Sequence, residues 1–322
     1  MCRLSLLAVG LAFVAVACSK SKSTPAVSIP EKPILRPAPS QPLTLDEYSQ
    51  FKNFVQAQEG AQFFLPQNYL FTQTDESHLP TNQQQTLAQI RQNCQISDVP
   101  TSSDNNDVHS GSVISSRDSR KVSSGACPIK YAFDQSVALT VADATEEIQS
   151  ASGPLSVSET MSVFNSDISS VTGSVYSSVD ANGSLAFVNQ KDKETRVRIT
   201  LSSSSQVSSV NPANSHTESV EADVIIATNP QTQQSSIALA LNITVVVPSM
   251  NKTVVLSLSG GVDSAGGQAT GQFTVNGSMV SQADQIELLQ SKFFSTILQR
   301  VLASGSNGSN QAIQMMKDVA FE

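Results

Sequence analysis

The stretch Ile237–Val247, with the sequence IALALNITVVV, decides the fold class of this chain. Every second side chain in it is aliphatic, and these are Ile237, Leu239, Leu241, Ile243, Val245 and Val247. A period of two places all of these side chains on one face of an extended strand. The opposite face carries Ala, Asn, Thr and Val, so the stretch predicts a strand of an antiparallel sheet with one buried and one solvated face.

The same period recurs on both sides of this stretch. It is carried by Val137, Leu139 and Val141, by Leu155, Val157, Met161 and Val163, and by Val197, Ile199 and Leu201. Turn signals separate the runs at 180–183, 191–193, 229–230, 248–251 and 260–261. The Asn182-Gly183 pair predicts a hairpin between strands 171–179 and 184–190, because both residues tolerate positive φ. We expect about eight or nine strands in a meander from about 130 to 281.

Helical periodicity appears at the two ends of the folded part. Ile286, Leu289, Phe293, Ile297 and Val301 predict an amphipathic helix over 283–303, which would cover the dry face of the sheet. Near the amino end, Thr44 and Glu47 form a capping-box pattern ahead of a predicted helix over 45–57, and a second helix is expected over about 82–94. The fold class is therefore β-rich α+β. A β-solenoid is the less favoured alternative because the strands are long and no rung repeat occurs, and whether the sheet closes stays open.

Composition narrows the function classes. The 322 residues carry 19 Lys+Arg against 27 Asp+Glu, a formal charge of −8, without a basic cluster. Nucleic acid is excluded as a partner, because neutralisation of phosphates supplies most of that affinity. Aromatic residues make up only 5% of the chain and Trp is absent, which disfavours stacking on sugars or bases.

The amino terminus has the layout of an export signal. Arg3 is followed by an apolar run from Leu4 to Val14, too short for an ordinary spanning helix, and then by Ala15-Val16-Ala17-Cys18. This segment resembles a bacterial lipoprotein signal peptide. The resemblance implies cleavage before Cys18, acylation of Cys18 and stable attachment to a membrane by several acyl chains. Ser19 rather than Asp follows the cysteine, which in that class implies delivery to the outer membrane, on a face that the sequence does not specify.

The predicted organisation follows from these segments. Residues 1–17 are the signal peptide, 18–42 a Pro- and Ser-rich tether, 43–128 a helical and loop segment with a mobile loop over 97–125, 129–303 the sheet domain with its helix, and 304–322 a tail. The prolines of the tether favour extended, semi-rigid chain.

Few residues suggest chemistry. Cys94 and Cys127 flank the predicted loop, and in an exported protein they are expected to form a disulfide, with two free buried thiols as the alternative. The three His residues show no ligand spacing for a metal, and no nucleophile motif or cofactor fingerprint occurs, so we expect no metal, no cofactor and no enzyme activity. Glu159 falls on the dry face by strict alternation, where a carboxylate could meet a polar ligand group or an Arg.

Two functional classes fit these observations. The first is an outer-membrane-anchored, non-catalytic lipoprotein with a structural or protein-interaction role in the cell envelope. The second is a carrier of lipid or another hydrophobic ligand in a cavity between sheet and helix. The second resembles periplasmic lipoprotein carriers at the level of fold only. Core packing explains the apolar face without a ligand, so the first class is favoured.

Overall fold

The computed structural model describes residues 26–60, 109–122, 127, 129–163 except 146, 174–263 except 233, 270–291, and 293, 294 and 297, together with parts of 81–103. The signal peptide 1–17, Cys18 and the tail 304–322 lie outside the described residues. These residues form one antiparallel sheet of 12 strands, with short helices on one face.

The strands follow one another along the sheet in chain order. Their bounds are β1 Ile96–Asp98, β2 Thr101–Ser103, β3 Val113–Val122, β4 Ile129–Ala144, β5 Ile148–Val163, β6 Ser174–Gln190, β7 Glu194–Ser209, β8 His216–Thr228, β9 Ser235–Val247, β10 Lys252–Asp263, β11 Thr270–Val275 and β12 Ser278–Met279. From β3 to β12 each strand pairs antiparallel with the next, while β1 and β2 both pair with β3. The sheet is open, and the predicted β-rich α+β meander is confirmed.

The dry face of the sheet carries the core. In β9, Leu241, Ile243, Val245 and Val247 are buried, as the period of two predicts, whereas Ile237 at the start of the strand is 37% exposed. The buried set continues across the register into the neighbouring strands, for example from Ile243 to Val220 in β8 and to Leu256 in β10. One apolar layer therefore runs across the meander.

Helix α1, Leu45–Gly60, lies on this dry face. Its capping box forms as predicted: the Thr44 amide donates to Glu47 Oε2 at 2.9 Å and the Glu47 amide donates to Thr44 Oγ1 at 3.3 Å. Phe51, Phe54 and Val55 are buried, whereas Leu45 is exposed. The described residues between 84 and 93 are also helical, in agreement with the helix expected over 82–94.

The predicted continuous helix over 283–303 is wrong at its centre. Helix α2 covers Gln282–Gln290 and ends at Ser291, whose hydroxyl donates to the Leu288 carbonyl at 2.6 Å. The same Ser291 hydroxyl accepts the Phe294 amide at 3.2 Å, as an N-cap does for a new helical segment. Phe293 and Ile297, beyond the interruption, are buried as expected, but Ile286 in α2 is 49% exposed.

The hairpin predicted at Asn182-Gly183 is also wrong. Both residues lie in the middle of β6, and Gly183 pairs with Leu155 on one side and Leu201 on the other. A Cβ on Gly183 would lie 1.9 Å from the Thr200 carbonyl oxygen. This glycine therefore allows a close approach of two strand backbones and does not form a turn.

Two other sequence predictions fail for related reasons. The turn expected at Gly260-Gly261 lies inside β10, where glycines are tolerated within a strand. The loop expected over 97–125 contains β2 and β3, and most of β1. β3 pairs with β4, but its sequence contains few apolar residues, so it shows no clear period of two. On its other side it pairs only with β1 and β2, which are three residues long. The predicted turns at 191–193, 229–230 and 248–251 do join consecutive strands.

Candidate functional site

The polar face of the sheet carries most of the segment that the sequence predicts to be a semi-rigid tether. Residues 26–43, called the arm below, run across the polar face of β8 and β9 to the turn between β11 and β12. The chain then passes to the opposite face, where α1 lies in the core. The prediction of a spacer over 18–42 is therefore corrected for the arm, and residues 18–25 lie outside the described residues.

Asp223 of β8 makes the first contact with the arm. Its Oδ2 accepts the Ile34 amide at 2.8 Å, and the Leu35 amide also bonds to this carboxylate. Arg198 of β7 donates to the two carboxylate oxygens at 2.9 and 2.8 Å. The Asp223 side chain is 4% exposed and that of Arg198 is 20% exposed. Burial raises the pKa of Asp223, but the bonds from Arg198 and the two arm amides outweigh it and hold that pKa below its ordinary value.

Asn242 of β9 makes the second contact and uses both ends of its amide. Its Oδ1 accepts the Ala38 amide at 3.2 Å, and its Nδ2 donates to the Arg36 carbonyl at 2.7 Å. Ser257 of β10 donates to the same Oδ1 at 2.8 Å and fixes the orientation of the amide. Asn242 is 4% exposed, so these bonds lie away from solvent.

Asn276 makes the third contact, from the turn between β11 and β12. Its Nδ2 donates to the Gln41 carbonyl at 2.8 Å, while its Oδ1 accepts the Val255 amide at 2.7 Å. Asn276 has φ 47, a left-handed conformation that Asn tolerates better than most residues. A turn residue thus holds the arm where it leaves the polar face.

The three side chains together bind the backbone of the arm rather than its side chains. The arm amides that they use belong to residues 34, 35 and 38. Proline, which has no amide hydrogen, occupies the adjacent positions 33, 37 and 39. Because no proline stands at a position whose amide is bound, the prolines remove none of these hydrogen bonds.

A groove of about 450 Å³ lies beside the arm at Ile34–Arg36. Polar side chains of β6, β7 and β8 line it, among them Asn182, Thr200, Ser202 and Glu221. A second concavity of about 360 Å³ lies further toward the β7–β8 turn, bordered by Ser178, Ser204, Gln206, Thr217, Ser219 and Thr244. Both lie on the hydroxyl-rich polar face, and their walls combine hydrogen-bonding groups with apolar surface from residues such as Leu201, Ala222 and Val246.

Several polar groups lie on the dry face, among them Glu159. It is buried, 9% exposed, between Val157 and Met161, as the alternation predicts. Elsewhere on this face, Ser205 donates to Glu218 Oε1 at 2.7 Å, and His216 Nε2 lies 3.8 Å from Glu218 Oε2.

The Ser205–Glu218–His216 cluster has the residue types of a hydrolase triad but not its order. Ser205 bonds to the carboxylate and not to the imidazole, so the Ser–His contact that defines a hydrolase triad is not formed. The His216 Nδ1 bonds to the Asn214 carbonyl at 2.9 Å, and the ring contacts the Phe54 and Phe293 rings edge-on. All three polar residues are at most 8% exposed, and this arrangement serves packing between the sheet and the helices.

The remaining sequence-predicted residues are placed as follows. Cys94 and Cys127 form a disulfide with Cα atoms 4.9 Å apart, which agrees with the predicted pairing. Cys18 lies outside the described residues. Within the described part of the chain, no group of three His, Cys, Asp or Glu side chains is arranged to hold a metal ion. His109 instead bonds through Nδ1 to the Ser112 hydroxyl at 2.9 Å.

Sequence reasoning missed the arm and the three residues that hold it. Asp223 and Asn242 lie at polar positions of alternating strands, so they match the pattern of any solvated face. The arm residues that they bind, Ile34 and Ala38, lie 189 and 204 positions away in the sequence, so no local signal marks these side chains as a binding site.

The fold and the site together define an open antiparallel meander with an amino-terminal arm bound on its polar face. Comparison with known protein families, curated proteins and solved structures finds no match for this chain. None of the described helices has the length and apolar character needed to cross a membrane.

Proposed function

We propose that this protein is a bacterial outer-membrane lipoprotein, anchored through Cys18, with a structural or protein-interaction role in the cell envelope and no catalytic activity. The observation that supports it best is the bound arm. An acyl anchor serves a positioning role well when the chain next to it is attached to the folded domain.

The distances support a positioning role. Between Cys18 and Ile34, the first arm residue bound by Asp223, there are 16 residue steps. Fully extended, they span at most roughly 53 to 58 Å. A free tether ending at Leu45 would add 11 steps and roughly 36 to 40 Å. The bound arm would thus keep the sheet close to the membrane.

The hydroxyl-rich polar face supports an interaction role rather than the carrier alternative. Both concavities described above are lined mainly by polar side chains. On the dry face, aromatic rings of the helices fill the space against the sheet: Phe54 packs on Phe293, and Phe294 packs on Phe273 of β11. No described feature favours a hydrophobic ligand specifically.

The experiment that tests the anchor is metabolic labelling with an alkyne-bearing palmitate in the native host, followed by membrane fractionation. We expect label and outer-membrane location in the wild-type chain, and loss of both in Cys18→Ser. Cys2→Ser is the matched control, because it removes the other signal-segment cysteine and should change neither result. Equal labelling of the wild-type and Cys18→Ser chains would refute the proposal.

A further inference from the structure

We propose that the polar face of β8 and β9, with the β11–β12 turn, is a binding site for an extended, proline-containing peptide. The arm fills this site in the present structure, and a peptide from another chain can occupy it instead. This inference deepens the proposed interaction role by naming the site and the partner chemistry. It rests on that role but not on acylation of Cys18, so the two can fail separately.

The first argument is that the site binds the main chain. Asp223, Asn242 and Asn276 contact arm amides and carbonyls, and all three are at most 5% exposed. Ile34, by contrast, exposes 68% of its side chain although its amide is bound. A site that ignores this side chain will accept other sequences that offer the same backbone groups.

The second argument is that the binding groups are fixed in advance. Arg198 holds the Asp223 carboxylate in a two-point contact. Ser257 holds the Asn242 amide, and the Val255 amide holds that of Asn276. Each receptor side chain is therefore oriented by the sheet itself and does not depend on the arm, so little ordering remains to oppose binding of a peptide.

The third argument is the spacing of prolines. The site uses amides at positions 34, 35 and 38 and carbonyls at 36 and 41, which leaves 33, 37 and 39 free to be proline. Proline holds a peptide extended and lowers the entropy lost on binding. The partner chemistry is thus Pro-x-x-x-Pro-x-Pro, with an amide hydrogen required at the residue between the last two prolines.

The fourth argument is room beside the arm. The groove of about 450 Å³ follows the arm at Ile34–Arg36 and continues over β6 and β7. The hydroxyl, amide and charged groups that line it would hydrogen-bond to a peptide that extends beyond the edge of the arm.

The experiment uses the full chain, folded intact, with a protease recognition sequence inserted after the exposed Pro42. After cleavage, native mass spectrometry measures retention of the arm, and fluorescence anisotropy measures exchange with a labelled synthetic peptide of residues 26–42. We expect the cleaved arm to be retained at micromolar protein and to exchange with the labelled peptide. An arm that leaves and a peptide that does not bind at millimolar concentration would overturn the proposal.

Peptide variants test the recognition without altering the protein. Ala38→Pro in the peptide removes the amide that Asn242 accepts, and we expect at least about tenfold weaker binding. Pro37→Ala keeps every backbone group and should weaken binding only a few-fold, through lost preorganisation. Equal affinity of the Ala38→Pro and unmodified peptides would contradict backbone recognition.

Protein variants locate the site. Asn242→Ala in the full chain should abolish peptide exchange, whereas Gln190→Ala, which changes an exposed amide on the same face at the end of β6 and outside the groove, should leave it unchanged. Equal effects of the two variants would place the peptide elsewhere and overturn the assignment.

Discussion

Two ion pairs of the same geometry allow a direct test of what burial contributes to this fold. Arg198 and Asp223 bond through two nearly parallel contacts of 2.9 and 2.8 Å, and Arg117 and Asp134 do so at 2.8 and 2.7 Å. The first pair has side chains 20% and 4% exposed, whereas the second has side chains 60% and 42% exposed. Only Asp223 also binds the arm.

The perturbation is Asp→Asn at each site, which keeps the shape and removes the charge. At Asp223 it leaves the mostly buried Arg198 without its counter-ion, and removing one partner of a buried pair costs about 3 to 5 kcal/mol. Since Arg198 retains some contact with water, we expect about 2 to 4 kcal/mol for Asp223→Asn. An exposed pair contributes only about 0 to 1 kcal/mol, so Asp134→Asn should cost less than about 1 kcal/mol.

The assay is urea unfolding of the non-acylated chain, monitored by circular dichroism. With a slope of about 3 kcal/mol per molar urea, the midpoint should fall by roughly 1 M in Asp223→Asn and by less than about 0.3 M in Asp134→Asn. Hydrogen exchange at the Ile34 amide should accelerate only in the first variant. Equal midpoint shifts, or an Ile34 amide that stays protected in Asp223→Asn, would refute the reasoning.

Three further predictions follow from single contacts. Gly183→Ala should destabilise the sheet by about 3 kcal/mol or more, because its Cβ would meet a carbonyl at 1.9 Å, whereas Gly271→Ala, with its closest contact at 3.2 Å, should cost clearly less in thermal unfolding. Cys94→Ser should lower the free energy of unfolding by roughly 3 to 4 kcal/mol through loss of the crosslink to Cys127. Peptide mapping that finds thiol reagent on Cys94 or Cys127 of the denatured, non-reduced chain would contradict that crosslink. Folding lowers the pKa of Asp223, so its contribution to the free energy of unfolding is complete above its ordinary pKa near 3.8 and is lost as the pH falls through the lower folded-state pKa. Protection of the arm amides from hydrogen exchange should therefore decline only in that acid range.

The sequence predicts the sheet well because the evidence for it is local. The alternation in β9 is enough to assign Leu241, Ile243 and Val245 to the core. A glycine has no such local signature: Asn182-Gly183 satisfies a turn and a close strand approach equally, and only the neighbouring Thr200 carbonyl decides between them. The predictions that are wrong are those in which the conformation of a residue depends on a neighbour far away in the sequence.

The end of α2 shows a second limit. Ser291 both ends α2 through Leu288 and caps the next segment through Phe294, yet a serine inside an apolar helical pattern carries little weight in the sequence. The arm shows a third limit. A proline-rich segment is compatible with a free spacer or a bound peptide, and the side chains that distinguish these states lie in other strands.

The order in which the arm meets the sheet determines how the molecule responds to force. A pull on the amino end first reaches the buried Ile29, then Ile34 at Asp223, Ala38 at Asn242 and Gln41 at Asn276, and only afterwards α1. We expect these bonds to break one after another under tension, before the sheet strands are loaded. Peeling the arm as far as Leu45 frees 11 residue steps, or roughly 36 to 40 Å of slack. The arm would thus detach and lengthen before tension reaches the sheet, and it would rebind when the tension falls.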